Sequence, residues 1–248
     1  MKISIITPSY NSKKTLSRTI ESVVSQECKD IEYIIIDGGS TDGTLEIINE
    51  YKDKISKKIS EKDNGIYDAI NKGINLATGD VIGILNSDDF YDNNKVLQTV
   101  LNIFEDSNID AIYGDINYFA NDIKKTTRYW EAGEYDERKL NNGWAIPHPA
   151  LFLRKSVYDK CGLYNVSFKI AGDYEFILRI LKIYHINLKY ISKVLVRMYD
   201  GGISGRNFKQ RRSGWKELKK AWLVNNIKIP RFFILKRIFY KISQYFTF

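Results

Sequence analysis

Four times between residues 1 and 105, a short strand-like run, mainly apolar in all but the third, breaks into a polar turn, and an amphipathic segment follows. The runs are 2–6, 31–36, 55–60 and 81–85. The segments after them are 12–26, one from Ser40 or Thr41 through Leu45, Ile48 and Tyr51, then 66–77 and 94–104. Unbroken apolar runs mark strands covered on both faces, whereas Leu16, Ile20, Val23 and Val24, or Ile66, Ala69, Ile70 and Ile74, recur at helical spacing. Strands alternating with helices predict a doubly wound, mostly parallel central sheet flanked by helices. At 248 residues the chain is long enough to bury a sizeable core.

The strand ends are where chemistry is expected, because ligands of open α/β sheets bind outside the carboxyl ends of the strands. The first run ends in Thr7-Pro8-Ser9-Tyr10-Asn11 and the second in Asp37-Gly38-Gly39-Ser40-Thr41-Asp42-Gly43. The run 81–85 stops at Asn86-Ser87-Asp88-Asp89. Adjacent carboxylates at a buried strand end must be solvated, paired or placed on a metal. A hard cation such as Mg²⁺ suits them; the alternative is that Asp92 or Asn93 caps the next helix and the acids stay in solvent.

The second half is less regular. Strands are expected over 111–119 and 126–130 around an Asn121-Asp122 turn, then at 150–153, 188–191 and 194–198. Helical segments are expected over 156–161, closed by Gly162, and over 173–184. Between them lies the long loop 131–149, rich in aromatic and polar residues, and loops of that length are commonly functional. Cys28 and Cys161 have no metal-ligand spacing and read as reduced thiols. There is no signal-peptide pattern and no apolar run long enough to span a bilayer.

Charge divides the chain at the Gly201-Gly202-Ile203-Ser204-Gly205 stretch, expected to be flexible. From Arg206 onward there are 12 basic residues and one acid, Glu217, a balance of +11 against −3 for residues 1–205. Such a basic module points to nucleic acid or an anionic membrane. Wound as a helix after Pro230, it places Leu235, Ile238, Phe239, Ile242 and Phe246 on one side and Lys236, Arg237 and Lys241 on the other. That pattern suits a helix lying on an anionic membrane surface, with no nucleic acid partner; the alternative is a helix packed on its own domain or on a second subunit.

Taken together, Ile5-Ile6-Thr7-Pro8-Ser9-Tyr10-Asn11, Asp37-Gly38-Gly39-Ser40-Thr41-Asp42-Gly43-Thr44, Asn71-Lys72-Gly73, Asn86-Ser87-Asp88-Asp89, Ala171-Gly172-Asp173 and Gly201-Gly202-Ile203-Ser204 form an ordered set. The chain resembles the family 2 glycosyltransferases over residues 1–205. The resemblance implies a GT-A domain there, with a nucleotide half about 1–105 and an acceptor half about 106–205, followed by the basic helical tail 206–248. It implies inverting transfer of a sugar from a nucleoside diphosphate donor, uridine being the commonest base, with Mn²⁺ or Mg²⁺. The acceptor is expected to be a saccharide or lipid-linked saccharide of bacterial surface polysaccharide assembly, and the location the inner face of the cell membrane.

The resemblance also assigns residues. Asp88 matches the metal-binding acid, Asn86 stands where a first acid is common and would bind a ribose hydroxyl of the nucleotide, and Asp89 is a supporting acid. Asp37 matches the acid that meets base or ribose, where the family often has a second acid in place of Gly38. Thr7, Pro8 and Tyr10 would wall the base, with Asp63 and Lys72 as further nucleotide contacts, although Lys72 also reads as a solvated helix lysine. Asp173 matches the general base and also reads as a helix cap, with Glu175 the second candidate. Trp144 and His148 are expected at the sugar or acceptor site, or else in the core. Gln210-Arg211-Arg212-Ser213-Gly214-Trp215 is similar to the Gln-x-x-Arg-Trp of processive synthases but fails its spacing, so single-sugar transfer is expected. Two alternatives are a sugar-1-phosphate nucleotidyltransferase, which wants a Gly-rich basic loop after the first strand, and a carbohydrate- or nucleic-acid-binding module.

Overall fold

A computed structural model describes residues 1–120, 122–200 and 208–244. The Gly201 to Gly205 stretch, Asn121 of the expected turn and Phe246 of the expected stripe lie outside the described residues. The described chain forms one mixed sheet in the order β3-β2-β1-β4-β8-β6-β9-β5, with β7 added beside β6.

The first half is the expected alternation: β1 (Ile3–Ser9), α1 (Leu16–Val24), β2 (Ile31–Asp37), α2 (Thr44–Glu50), β3 (Lys57–Ser60), α3 (Ile66–Leu76) and β4 (Val81–Ile84). β3, β2, β1 and β4 are parallel, so Ser9, Asp37 and Ser60 end at one edge, with Asn86 two residues past β4. β1 is buried along its whole length and β4 likewise, as unbroken apolar runs require. Across the sheet, Glu32 ties neighbouring strands: it accepts from Ser4 at 2.6 Å and from the Thr78 N–H at 2.7 Å, and pairs Lys57 at 2.9 Å.

The helix starts differ from expectation. Ser12 does not cap α1, and Gly43, at φ +98°, precedes α2 in place of Ser40 or Thr41. α4 (Val96–Ile103) follows the short strand β5 (Phe90–Tyr91). Neither Asp92 nor Asn93 is its cap residue; Asp92 faces Arg197 at 3.6 Å instead.

In the second half, β6 (Ala111–Phe119) and β7 (Thr126–Trp130) take the expected bounds. α5 (Glu137–Asn141) interrupts the long loop, and β8 (Leu151–Arg154) runs antiparallel between β4 and β6. α6 (Lys155–Cys161) and α7 (Gly172–Lys182) follow. The two closing strands are one, β9 (Leu188–Tyr199), whose pairing with β6 shifts register around Asp115. That irregularity divides the apolar pattern in two without ending the strand.

The basic segment folds into α8 (Phe208–Val224) and α9 (Phe233–Ser243). It shares the main core: Leu218, Ala221, Trp222 and Phe233 are buried in the same cluster as Tyr174, Phe176 and Ile177 of α7. Gly143, at φ +88°, lies so close to α9 that a Cβ there would sit 2.5 Å from the Arg237 Cα.

Candidate active site

The residues singled out in the sequence converge on the C-terminal edge of the parallel strands, but not all face outward. Thr7 is fully buried and its hydroxyl lies 3.1 Å from that of Tyr33, so it belongs to the core and not to a base-binding wall. Pro8 is buried too, because β1 continues as covered strand to Ser9. Of the expected wall only Tyr10, 64% exposed, is open.

Asp37 is fully buried, and its carboxylate is occupied within the protein. It accepts from the Gly39 and Ser40 N–H groups at 3.1 and 3.0 Å, from the Ser60 hydroxyl at 2.8 Å and from the Ser40 hydroxyl. Four donors account for about all the acceptor sites of a carboxylate. Asp37 therefore shapes the loop after β2 and does not present a free oxygen. The absent acid at Gly38 has a physical reason, because a side chain there would run into the Asp63 carboxylate. Asp63 is partly open and accepts from the Gly65 N–H at 2.9 Å. Nearby, Lys72 pairs with Glu61 at 2.7 Å and lies 3.6 Å from Asp68.

After β4 the chain turns tightly. Asp89 is fully buried, accepts from the Asn86 amide at 2.9 Å, and accepts from the Tyr199 N–H at 3.2 Å. Asn86 is thus turned toward Asp89, and the alternative in which both acids stay in solvent fails at Asp89. Asp88 is the partly open member of the pair. Burial raises the pKa of both, with Asp88 adding to the rise at Asp89 and Arg18 opposing it. Arg18 was not foreseen. It stacks on Phe90 and Phe119 at 4.9 and 4.8 Å and donates to the Asp88 carbonyl at 3.4 Å.

Among the described residues no three His, Cys, Asp or Glu side chains converge as a metal cage. A single open carboxylate fits a hard cation shared with phosphate oxygens, since such ions keep waters and take one or two protein carboxylates. Asp88 is the residue here that would hold Mn²⁺ or Mg²⁺.

Asp173 stands over the same edge. Its Oδ1 accepts from the Tyr67 hydroxyl at 3.2 Å, and Tyr67 opens α3 just beyond the end of β3. Burial, followed by Asp173, raises Tyr67 well above its ordinary pKa, so it stays a donor. Tyr67 stacks on Tyr164 with ring centres 5.9 Å apart, and the Tyr164 hydroxyl meets His148 Nε2 at 2.8 Å. His148 is buried, and burial lowers its pKa, so it supports the aromatic stack as a neutral ring and does not line an open sugar site. Trp144 is core: it is 1% exposed and donates its indole N–H to the Ala132 carbonyl at 2.6 Å. Glu175 is buried against Arg179 at 3.0 Å and accepts from Asn225 at 3.1 Å, which removes it as a candidate base.

Asp173 does not cap its helix. Glu217 of α8 instead holds the backbone leading into the helix: its carboxylate accepts the N–H groups of Lys169 at 3.0 Å, Ile170 at 2.8 Å and Ala171 at 2.9 Å. Of these, the Ala171 N–H sits at the cap position and is one that the helix itself leaves unpaired. The sole acid of the basic segment thus fixes the entry to the helix that carries Asp173, a role no local pattern announces.

The sequence pattern of glycosyl transferase family 2 matches residues 4–162. A PGL/p-HBAD biosynthesis glycosyltransferase of Mycobacterium bovis is 31% identical over 207 residues, covering 81% of this chain and 78% of the relative. The structure of S. aureus TarS 1-349 in complex with UDP-GlcNAc superposes with a TM-score of 0.72 at 18% identity, over 98% of this chain and 73% of that one. The chain spans 44% of the longer TarS structure. The mannosyltransferase PcManGT from Pyrobaculum calidifontis, in complex with GDP-Man and Mn²⁺, superposes at 0.68 with 13% identity, over 98% and 70% of the two chains. These last likenesses are of fold, the GT-A arrangement of a mostly parallel sheet with flanking helices.

Proposed function

The chain belongs to glycosyl transferase family 2, and on that footing we propose that it moves a single sugar from a UDP-sugar to a hydroxyl of a saccharide or lipid-linked saccharide, inverting the anomeric carbon. The observation that carries this is the placement of two separate carboxylates, Asp88 past β4 and Asp173 at the head of α7, over one sheet edge. One serves the leaving diphosphate and the other the incoming hydroxyl. The acceptor oxygen attacks the anomeric carbon as its bond to the diphosphate breaks, and Asp173 takes the hydroxyl proton. With Oδ1 held by Tyr67, Oδ2 is the oxygen assigned to that proton. A divalent cation on Asp88 would offset the charge of the departing diphosphate. Asp63, in the space beside Gly38, and the exposed Tyr10 are the nucleotide contacts this reading favours, with Lys72 further along α3.

Uridine draws support from the UDP-GlcNAc bound by TarS, and the metal from the Mn²⁺ of the Pyrobaculum enzyme. Bacterial surface glycoconjugate synthesis is in keeping with the relative in PGL/p-HBAD biosynthesis. The test is turnover of a panel of UDP- and GDP-sugars with Mn²⁺. Release of UDP supports the reading, release of GDP alone overturns the base, and no release from any donor overturns the activity.

Membrane attachment forms part of the same reading. No helix among the described residues is long and apolar enough to cross a membrane. On α9 one face is docked through Phe233, while Phe232, Leu235, Phe239 and Ile242 are 72, 54, 69 and 47% exposed at spacings of three and four residues. This outward apolar face, flanked by exposed Arg231 and Lys236, suits an anionic leaflet, where each nearby Lys or Arg contributes about 1 kcal/mol. The full chain should co-sediment with phosphatidylglycerol vesicles at physiological salt and less with phosphatidylcholine. Leu235→Gln with Phe239→Gln, both at exposed positions, should abolish the difference. Equal sedimentation of wild type and variant would refute the attachment.

Glu217→Ala should both loosen the fold and slow turnover. It strands three N–H donors at the entry to α7, for a loss of about 1–3 kcal/mol. Because Asp173 is displaced and the nucleotide site is not, kcat should fall while the donor KM holds. Glu217→Gln, which keeps one acceptor oxygen, should lie between. An unchanged kcat in a variant with lowered melting temperature would limit Glu217 to stability.

A further inference from the structure

A general base must meet the hydroxyl it deprotonates within hydrogen-bond reach, and an aspartate side chain turns about two bonds. The contact that limits Asp173 comes from α3. Tyr67, 5% exposed, lies in the first turn of that helix, and its hydroxyl donates to Asp173 Oδ1 at 3.2 Å. The Tyr67 ring lies against the bare backbone of Gly172, where a Cβ would sit 2.7 Å from it. Gly172 has no positive φ, so close approach alone calls for glycine in Ala171-Gly172-Asp173. One side chain thus meets two successive residues at the head of α7, with its ring on one and its hydroxyl on the other.

The ring is itself held. It stacks on Tyr164 with planes only 11° from parallel, and Tyr164 stacks on Phe176 of α7 at 4.4 Å. Asn71 fastens the Tyr164 backbone, donating to its carbonyl at 2.8 Å and accepting from its N–H at 2.9 Å. Asn71 is one turn beyond Tyr67, so the same side of α3 carries both the ring and the clamp on what the ring stacks against. At Gly73, α3 presses onto β1, where a side chain would run into Ile6. Asn71-Lys72-Gly73 thereby seats Tyr67 relative to the sheet. Asp173 is only half-buried, so water could satisfy its charge. What the bond from Tyr67 adds is direction.

We propose that Tyr67 is a positioning residue for the base. Its hydroxyl holds one oxygen of Asp173 so that the other meets the acceptor hydroxyl, and α3, seated on β1, keeps that aim in register with the donor edge of the sheet. This role rests on Asp173 acting as the base, as proposed above.

Tyr67→Phe keeps the ring and its stacking and removes only the hydroxyl. Turnover is read as nucleoside diphosphate release from each nucleotide sugar that the wild type uses. The variant should lose about tenfold or more in kcat, since a base misplaced by about 1 Å can cost up to about 10²-fold. Donor KM and nucleoside diphosphate affinity by calorimetry should hold. Tyr158→Phe is the control. It takes a different buried hydroxyl from the same aromatic cluster, where Tyr158 packs on Phe176 at 5.3 Å, and it should keep the wild-type kcat. Wild-type kcat in Tyr67→Phe would overturn the proposal. An equal fall of kcat in Tyr158→Phe would also overturn it, by assigning the effect to packing. So would a weakened nucleoside diphosphate affinity in Tyr67→Phe, which would place Tyr67 in the nucleotide site. Each of these leaves the proposed function standing, whereas a wild type that turns over no nucleotide sugar overturns both.

Discussion

Replacing Asp173 with Asn is expected to cut sugar transfer by about 10²-fold or more while leaving folding and nucleotide binding intact. The substitution is clean for a structural reason. Asp173 does not cap α7, and Glu217 of α8 holds the backbone that leads into the helix. The Asn carbonyl oxygen can still accept from the Tyr67 hydroxyl, which in the wild type lies 3.2 Å from Oδ1. Shape and that hydrogen bond survive, and only the ability to take a proton is removed. Glu175 offers no rescue from two positions along, since it is buried against Arg179 on the far side of the helix. The readouts are transfer rate, UDP affinity and melting temperature. Near-normal transfer with the other two unchanged would remove Asp173 from the chemistry.

The parallel half of the sheet was legible because covered strands must be continuously apolar. Runs such as Ile34-Ile35-Ile36 and Val81-Ile82 have no other common use at that length. Strand ends therefore fall on one edge from the residues alone, and with them the positions of Asp37 and Asp88. Which way each side chain turns does not follow from them. Thr7 and Asp37 belong to motifs that the family resemblance links to nucleotide, yet both are buried and bonded inward. A motif fixes where the backbone passes, whereas side-chain direction depends on neighbours distant in sequence, such as Tyr33 and Ser60.

The long loop and the C-terminal segment were misleading for the same reason. Aromatic residues in a polar loop suit a sugar site or a core equally well, and packing on Tyr113 and Tyr135 settles Trp144 as core. The segment after Arg206 reads as a basic helical tail because charge dominates its composition. Its few large apolar residues, Trp222 and Phe233 among them, insert into the main core, and its one acid accepts from the backbone that leads into a helix more than 40 residues upstream. The apolar stripe over 235–242 was legible, since helical periodicity alone decides it, and much of it is exposed.

Asp88→Ala should abolish transfer, on the order of a 10³-fold loss, without destabilising the protein. The two neighbouring acids are not equivalent. Asp89 is fully buried and ties the turn together through Asn86 and Tyr199, so its removal would cost stability. In the recorded contact between Asp88 and Arg18, it is the Asp88 backbone carbonyl that takes part, not the carboxylate. Burial makes the Asp88 charge unfavourable, with Arg18 opposing the effect. Removing that charge should leave the melting temperature of the metal-free protein unchanged or raise it. The wild type should gain stability from UDP with Mn²⁺ over UDP alone, and the variant should not, because a ligand stabilises only the state that binds it. Loss of activity together with this loss of Mn²⁺-dependent stabilisation would place the cation on Asp88. Normal turnover by the variant in chelator-treated buffer, or an undiminished Mn²⁺ effect, would move it elsewhere.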